Sequence, residues 1–305
     1  MSRKEGISPA VRVVVSAGVL ALLLQVIDGG DVLSRLGRMD LLWAGAAVLL
    51  SLLQILLLAW RWQYTARRLG TALDYRDAFG EYYLGVFLNQ VLPGGVMGDV
   101  TRAWRQRGPS AGTGAAITAV VLERASAQAI MTFAAVVSAL ALLLQRPSGA
   151  LTVVIGGSIA LSLTGLLAVV AVRGMRALST RGALAGRIWR DARAVLLQPQ
   201  ALVFHLATGT LAVASYVGVF LAGALAVGVD TSLFVLLPLV PPLLMTMLIP
   251  VSVAGWGIRE GAAAALWGAA GLQASDGILL SMAYGVLVLI SSLPGGIVLL
   301  RARRR

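Results

Sequence analysis

The chain has no cysteine, a single histidine, and only 13 acidic residues against 25 lysines and arginines. Lack of cysteine rules out disulfides, thiolate metal sites and lipid anchors attached through sulfur. His205 has no second histidine or carboxylate at ligand spacing, which argues against an ordinary zinc site; it reads as an interfacial or packing residue. Charge of either sign is also scarce. Only 12% of the 305 residues are charged and 58% are hydrophobic, whereas a soluble domain carries about 25% charged residues. Length alone would suggest two soluble domains. The long apolar runs override that prior, because about 20 apolar residues match the roughly 30 Å hydrocarbon core of a bilayer.

Five such runs, residues 11–27, 41–60, 150–172, 201–229 and 278–300, read as membrane-spanning helices. A sixth, residues 115–144, is long enough to span but carries Glu123 and Arg124 side by side, which an isolated lipid-facing helix tolerates poorly. Residues 232–248 and 261–272 are apolar but shorter, and fit either full spans or the two halves of a re-entrant hairpin. The N-terminal stretch imitates a signal peptide, but no small-x-small cleavage site follows, so it is read as a retained first helix. The expected fold class is therefore an all-α polytopic membrane protein. It has about eight helical elements in a single integral membrane domain, residues 1–305.

A net charge of +12 would suggest nucleic acid in a soluble protein, so the placement of the basic residues decides. Arg3, Lys4 and Arg12 precede the first span; Arg61, Arg67, Arg68 and Arg76 follow the second; six arginines between positions 173 and 193 follow the run at 150–172; four more end the chain. The opposite loops hold Arg35, Arg38 and Arg146 with Asp28, Asp31, Asp40, Asp230 and Asp276. That bias is expected when the arginine-rich side is cytoplasmic. It predicts a multi-pass protein of the inner cell membrane with both termini cytoplasmic, and no nucleic-acid partner.

The hydrophobic pattern fails at two places. In residues 87–102 an apolar half-helix carrying Asn89 stops at Pro93 and meets Gly94, Gly95 and Gly98, then Asp99 and Arg102. In residues 247–261 Pro250 leads to Gly255, Trp256, Gly257, Arg259 and Glu260. Aligned at the prolines, both segments have Gly five positions later and Arg nine positions later. This suggests pseudo-repeat halves of about 1–145 and 146–305. Counted from the cytoplasm, the first segment departs from the inside and the second from the outside, as an inverted repeat requires. Irregular backbone at membrane depth is tolerated only inside protein or along a wet cavity.

Asp99, Arg102, Glu123, Arg124, Arg259 and Glu260 would each cost roughly 2.5–3.5 kcal/mol at the centre of an isolated helix. Three acids and three bases are placed most economically by pairing around one polar cavity, with arginines left to attract an anionic headgroup. Gly94 to Gly98 is no Walker loop, since no Lys-Ser or Lys-Thr follows. No ATP site is visible, so any transport is downhill or ion-coupled, and no cofactor is expected.

These residues resemble the lysylphosphatidylglycerol synthetase transmembrane-region family, a flippase-like membrane domain also called UPF0104. The resemblance spans nearly the whole chain. It rests on Arg61-Trp62, residues 82–89, Leu92-Pro93-Gly94 through Gly98-Asp99-Val100 to Arg102, Glu123-Arg124, and Pro250 through residues 255–260. Met97 departs from the family's Gly-Gly-Asp pattern. The resemblance implies a domain that moves lipids, lipid-linked or hopanoid-like molecules between leaflets. Larger family members add a soluble synthase domain; here the chain stops at Arg305, and synthase activity is not implied.

The expected function is translocation of a lipid or lipid-linked anionic molecule, with phospholipid, prenyl-phosphate, glycolipid or hopanoid-like substrates all open. The expected substrate-binding residues are Asn89, Pro93, Gly94, Gly98, Asp99, Arg102, Glu123, Arg124, Pro250, Gly255, Gly257, Arg259 and Glu260. Among them Arg102 and Arg259 would hold the headgroup. Two alternatives stay open. One is a membrane-embedded lipid-modifying enzyme using Asp99 or Glu123 as general base, against which stands the lack of an Asp-rich metal motif. The other is an inert membrane partner of a separate lipid synthase or glycosyltransferase. A homo-oligomer is compatible with all three.

Overall fold

Asp40 sets the start of the first long helix: its side chain accepts hydrogen bonds from the backbone N–H groups of Leu42 (2.8 Å) and Trp43 (3.1 Å), two of the donors a helix leaves unpaired at its N-terminus. Asp40→Ala is expected to lower stability by about 1 kcal/mol, read from thermal denaturation of the purified protein in detergent. A value indistinguishable from wild type would show that the cap contributes nothing.

The chain is described by a computed structural model over residues 29–92, 97–106, 113–145, 189–248 and 252–302, with the isolated positions Gly18 and Gly156. The expected spans at 11–27 and 150–172, most of the basic stretch 174–193, and Pro93, Gly94 and Pro250 lie outside the described residues. Among the described residues every regular element is helical: α1 (Gly29–Gly37), α2 (Leu41–Arg68), α3 (Tyr75–Val91), α4 (Met97–Arg105), α5 (Thr113–Gln145), α6 (Pro199–Ala226), α7 (Leu233–Leu248, with two 3₁₀ turns), α8 (Ile258–Ala269), α9 (Ala274–Ser292) and α10 (Gly295–Ala302). Among the described residues four stretches are long and apolar enough to cross a bilayer: Leu41–Arg68, Gly114–Leu144, Pro199–Ala226 and Ala274–Val298. The fold is that of a polytopic helical membrane protein.

The first of these spans corrects an expectation. Helix α2 does not stop near residue 60 but runs on to Arg68, so Arg61 belongs to the membrane-spanning body, fully buried, and not to a cytoplasmic loop. The run at 278–300 likewise divides after Ser292, where Pro294 cannot continue the amide ladder and Gly295 packs against the Tyr83 backbone.

The two 28-residue helices α2 and α6 lie antiparallel along the centre of the bundle. Asp40 N–H donates to the Ala226 carbonyl (2.8 Å) at one end, Gln54 Nε2 donates to Ser215 Oγ (2.9 Å) midway, and Arg68 Nη1 donates to Gln198 Oε1 (2.7 Å) at the other. The two ends differ in charge. Arg67, Arg68, Arg76, Arg190 and Arg193 stand at the second end, while Asp40, Asp230 and the Arg35–Asp276 pair (3.4 Å) mark the first.

Two helical hairpins enter this bundle from opposite ends. Helix α3 follows α2 at the arginine-rich end, breaks after Val91, and α4 returns antiparallel to it: Gly98 N–H donates to Asn89 Oδ1 (2.8 Å) and Arg105 Nε pairs with Glu81 (2.8 Å). At 9 residues, α4 is about 13 Å long and cannot cross a bilayer. Helix α7 follows α6 at the other end, and α8 returns there to meet the start of α9, with Gly277 against the Ala263 carbonyl and the Trp267 ring. Helix α8, with 12 residues, is about 18 Å long. Neither α7 (Leu233–Leu248) nor α8 reaches the length of the four spans, as a re-entrant hairpin requires. Its turn carries positive φ at Ala254 (50°), Gly255 (84°) and Gly257 (86°), a conformation glycine adopts without steric cost.

Candidate functional site

The ends of α3 and α7, with Ala254 ahead of α8, border a common cavity of about 240 Å³. Asn89 and Gln90 line it from α3, Glu123, Arg124 and Gln128 from α5, Gln54 from α2, and Met245, Met247 and Ala254 from the second hairpin. Ile55, Leu58, Val86 and Met131 from the same helices complete a lining that mixes polar and apolar side chains.

Behind the polar part of this lining lies a charged network assembled from three elements. Helix α4 brings Asp99 and Arg102 on one face, three residues apart, with Arg102 Nη2 at 2.6 Å from Asp99 Oδ1. Arg124 Nη2 reaches the same oxygen at 2.9 Å from α5. Glu123 is fully buried; its nearest cations are Arg102 Nη2 at 3.6 Å and Arg61 Nε at 3.9 Å. Arg61 is held from the far side, donating to the His205 carbonyl (3.0 Å), Thr208 Oγ1 (2.8 Å) and Ser126 Oγ (3.1 Å). Arg102 lies over the rings of Trp62 (4.8 Å) and Tyr82 (4.1 Å), which adds cation–π attraction in a desolvated setting. Three guanidiniums face two carboxylates, leaving one excess positive charge.

Arg259 and Glu260 form a second network. Arg259 Nη2 donates to Glu260 Oε1 (2.8 Å), its Nε donates to Ser281 Oγ (2.8 Å), and Ser281 Oγ donates back to Glu260 Oε1 (2.8 Å). Gly257 N–H donates to Glu260 Oε2 (2.6 Å), so the carboxylate also caps α8. Arg259 lies over the rings of Trp256 and Tyr284, each at 5.3 Å. This network is electrically balanced.

Of the residues singled out in the sequence, Asn89, Glu123 and Arg124 line the cavity. Asp99, Arg102 and Gly98 stand one layer behind. Gly255, Gly257, Arg259 and Glu260 build the second network, which reaches the cavity through Tyr284. The six charged residues singled out in the sequence pair within two clusters, Asp99, Arg102, Glu123 and Arg124 in one and Arg259 and Glu260 in the other. His205 is buried and packed edge-on against Phe204 and Tyr64. Among the described residues no group of three or more histidines and acids is placed to hold a metal ion.

Arg61 was not read from the sequence as part of the site, although a signal was there: Gln54, Leu58, Arg61 and Thr65 fall at helical spacing, and all four are buried. A polar stripe continuing that apolar helix marks a face turned inward. Ser281 and Tyr284, likewise unread, are polar groups on one face of α9.

A family model described as lysylphosphatidylglycerol synthase TM region matches residues 10–296. No curated protein and no solved structure matches the sequence.

Proposed function

The chain belongs to the lysylphosphatidylglycerol synthase TM-region family, and from that premise we propose that it passes a lipid or lipid-linked anionic molecule between the leaflets of the membrane. The observation that carries this reading is the excess positive charge of the first network, placed where Arg124 borders a cavity between two hairpins of opposite entry. A charge at membrane depth is costly unless paired, so a network with one more guanidinium than carboxylates beside a cavity favours an anion there. The apolar side chains of Met245 and Met247 suit the start of an acyl or prenyl chain.

The antiparallel α2 and α6 and the oppositely directed hairpins support an inverted repeat with its site between the halves. On that reading, exposure alternates between leaflets as one half rocks against the other. The positive-inside bias supports an orientation with the arginine-rich end, and both termini, on the cytoplasmic side of the inner membrane.

The test is leaflet exchange in liposomes. Fluorescently labelled anionic phospholipid is expected to become accessible to an outside quencher faster when the protein is present. Ala127→Trp, which puts an indole into the cavity wall, is expected to abolish that exchange while leaving the protein folded. Absence of protein-dependent exchange with phospholipid, prenyl-phosphate and glycolipid alike would sink the translocator reading.

A further inference from the structure

The two charged networks stand toward opposite ends of the cavity. On α9 the cavity is lined by Tyr284, Val288 and Ser291. Ser281, the partner of Arg259, sits one turn nearer the acidic end marked by Asp40, Asp230 and Asp276. On the second hairpin Ala254 borders the cavity, and Arg259 and Glu260 follow it toward that same end. The second network therefore lies between the cavity and the acidic end. In the first, Arg61 lies past the cavity-lining Gln54 and Leu58 in the direction of Arg68.

The networks differ in what a parting of helices would separate. The first joins α2, α4 and α5, and moving α4 from α5 pulls Asp99 from Arg124 and Arg102 from Glu123. In the second, the charge pair belongs to one helix. Arg259 keeps Glu260 (2.8 Å), the Met247 sulfur (3.8 Å) and the Trp256 ring (5.3 Å), all within the hairpin of α7 and α8. Glu260 keeps the Gly257 N–H. Only the Ser281 hydroxyl and the Tyr284 ring are contributed by α9. The hairpin thus leaves α9 with its charges still paired, and one neutral hydroxyl stays behind. Where an unpaired charge is costly, this is the opening of lower energy.

The face of α9 that meets the hairpin suits such a movement. Gly277, Ser281 and Gly285 fall at successive turns. A Cβ on Gly277 would lie 2.7 Å from the Ala263 carbonyl oxygen, and one on Gly285 would lie 2.7 Å from the Trp256 ring. Small residues let the two backbones approach closely, and along this stripe no long side chain has to be withdrawn when they part. We propose that the seam between α8 and α9 is the gate by which the cavity opens toward the acidic end, and that Ser281 is its latch. From the translocator reading the gate takes only the need for the cavity to open; access itself is measured without a lipid.

The experiment uses the full chain, which has no native cysteine, in sealed membrane vesicles of both orientations. Reporters at the exposed positions Asp230→Cys and Ala72→Cys establish which vesicles present the acidic end and which the arginine-rich end. Val288→Cys, in the cavity wall one turn inside Tyr284, reports access of a charged, membrane-impermeant thiol reagent. Its labelling from the acidic side is expected to rise about tenfold or more with Ser281→Ala, the factor carried by one hydrogen bond to a charged group. Gly277→Ala, which removes no side-chain bond and parts the helices by overlap, should raise it as well. Labelling from the arginine-rich side should stay the same in both variants, whereas a general loosening of the fold would raise both rates.

Unchanged labelling from the acidic side in either folded variant, or equal acceleration from both sides, would overturn the gate. Should one variant fail to fold, the other carries the test. Faster labelling without any leaflet exchange would strike the translocator and leave the gate standing; leaflet exchange with the Ser281→Ala labelling rate unchanged would do the reverse.

Discussion

Replacing Glu123 with alanine is expected to cost the fold about 3–5 kcal/mol, the range for removing one partner of a buried ion pair and leaving the other uncompensated. Here two cations are stranded together, Arg61 at 3.9 Å and Arg102 at 3.6 Å, with all three side chains at most 1% exposed. Arg61 keeps its bonds to His205, Thr208 and Ser126, and Arg102 keeps Asp99, which places the cost within that range rather than beyond it. Most of the loss comes from the repulsion and desolvation of the stranded charges. Removing the charge of Arg61 as well should therefore recover part of it: Glu123→Met with Arg61→Met is expected to be more stable than Glu123→Ala. Reversible unfolding in mixed micelles, followed by titration with denaturing detergent, gives both values. A Glu123→Ala protein within 1 kcal/mol of wild type would mean that the carboxylate does not hold the two arginines.

The second large effect is steric. A Cβ on Gly98 would lie 2.6 Å from the carbonyl carbon and 2.7 Å from the Cα of Gly85, and closer still to the Gly85 oxygen. These are backbone atoms of α3, and no rotamer change relieves the overlap. Gly98→Ala is expected to force α4 away from α3 at a cost of about 3 kcal/mol or more, the top of the range for overpacking. The bond from Gly98 N–H to Asn89 would be lost, and Asp99 would be displaced from Arg124. The mirror-image change, Gly85→Ala, meets flexible carbons of Arg102 at 3.3 Å and the Gly98 carbonyl oxygen at 3.3 Å, so its cost should be nearer 1 kcal/mol. Comparing thermal denaturation midpoints of the two purified variants decides the matter. Equal effects would show that the close approach of the helices does not limit the hairpin.

The sequence made the two breaks legible because proline, glycine and paired charges interrupt otherwise apolar runs, and such interruptions are tolerated in a membrane only where protein or water covers them. It also pointed to the pairing of Asp99, Arg102, Glu123 and Arg124. It did not show which arginine faces the cavity. Arg102 and Arg124 are the same residue type in similar settings, and only the packing of α4 against α2 and α3 puts the first over Trp62 and Tyr82, while the second, on α5, is left half open. Arg61 was hidden for a different reason. Placed after an apolar run and followed by Arg67 and Arg68, it looks like one more cytoplasmic charge, and composition does not reveal that the helix continues two turns past it. The choice between two crossings and a hairpin for residues 232–272 was equally closed to charge counting, since both leave the termini on the same side.

The short α4 has a consequence for biogenesis. When α3 and α4 emerge, Asp99 and Arg102 have each other, but Glu123 and Arg124 of α5, which complete their network, do not yet stand beside them. A nine-residue helix bearing three charged residues, Asp99, Arg102 and Arg105, gains too little from lipid to enter it alone. The hairpin must therefore wait at the membrane surface or in the insertion machinery until α5 arrives. A released chain truncated after residue 112 should leave residues 97–105 open to aqueous labelling reagents, and the full chain should protect them.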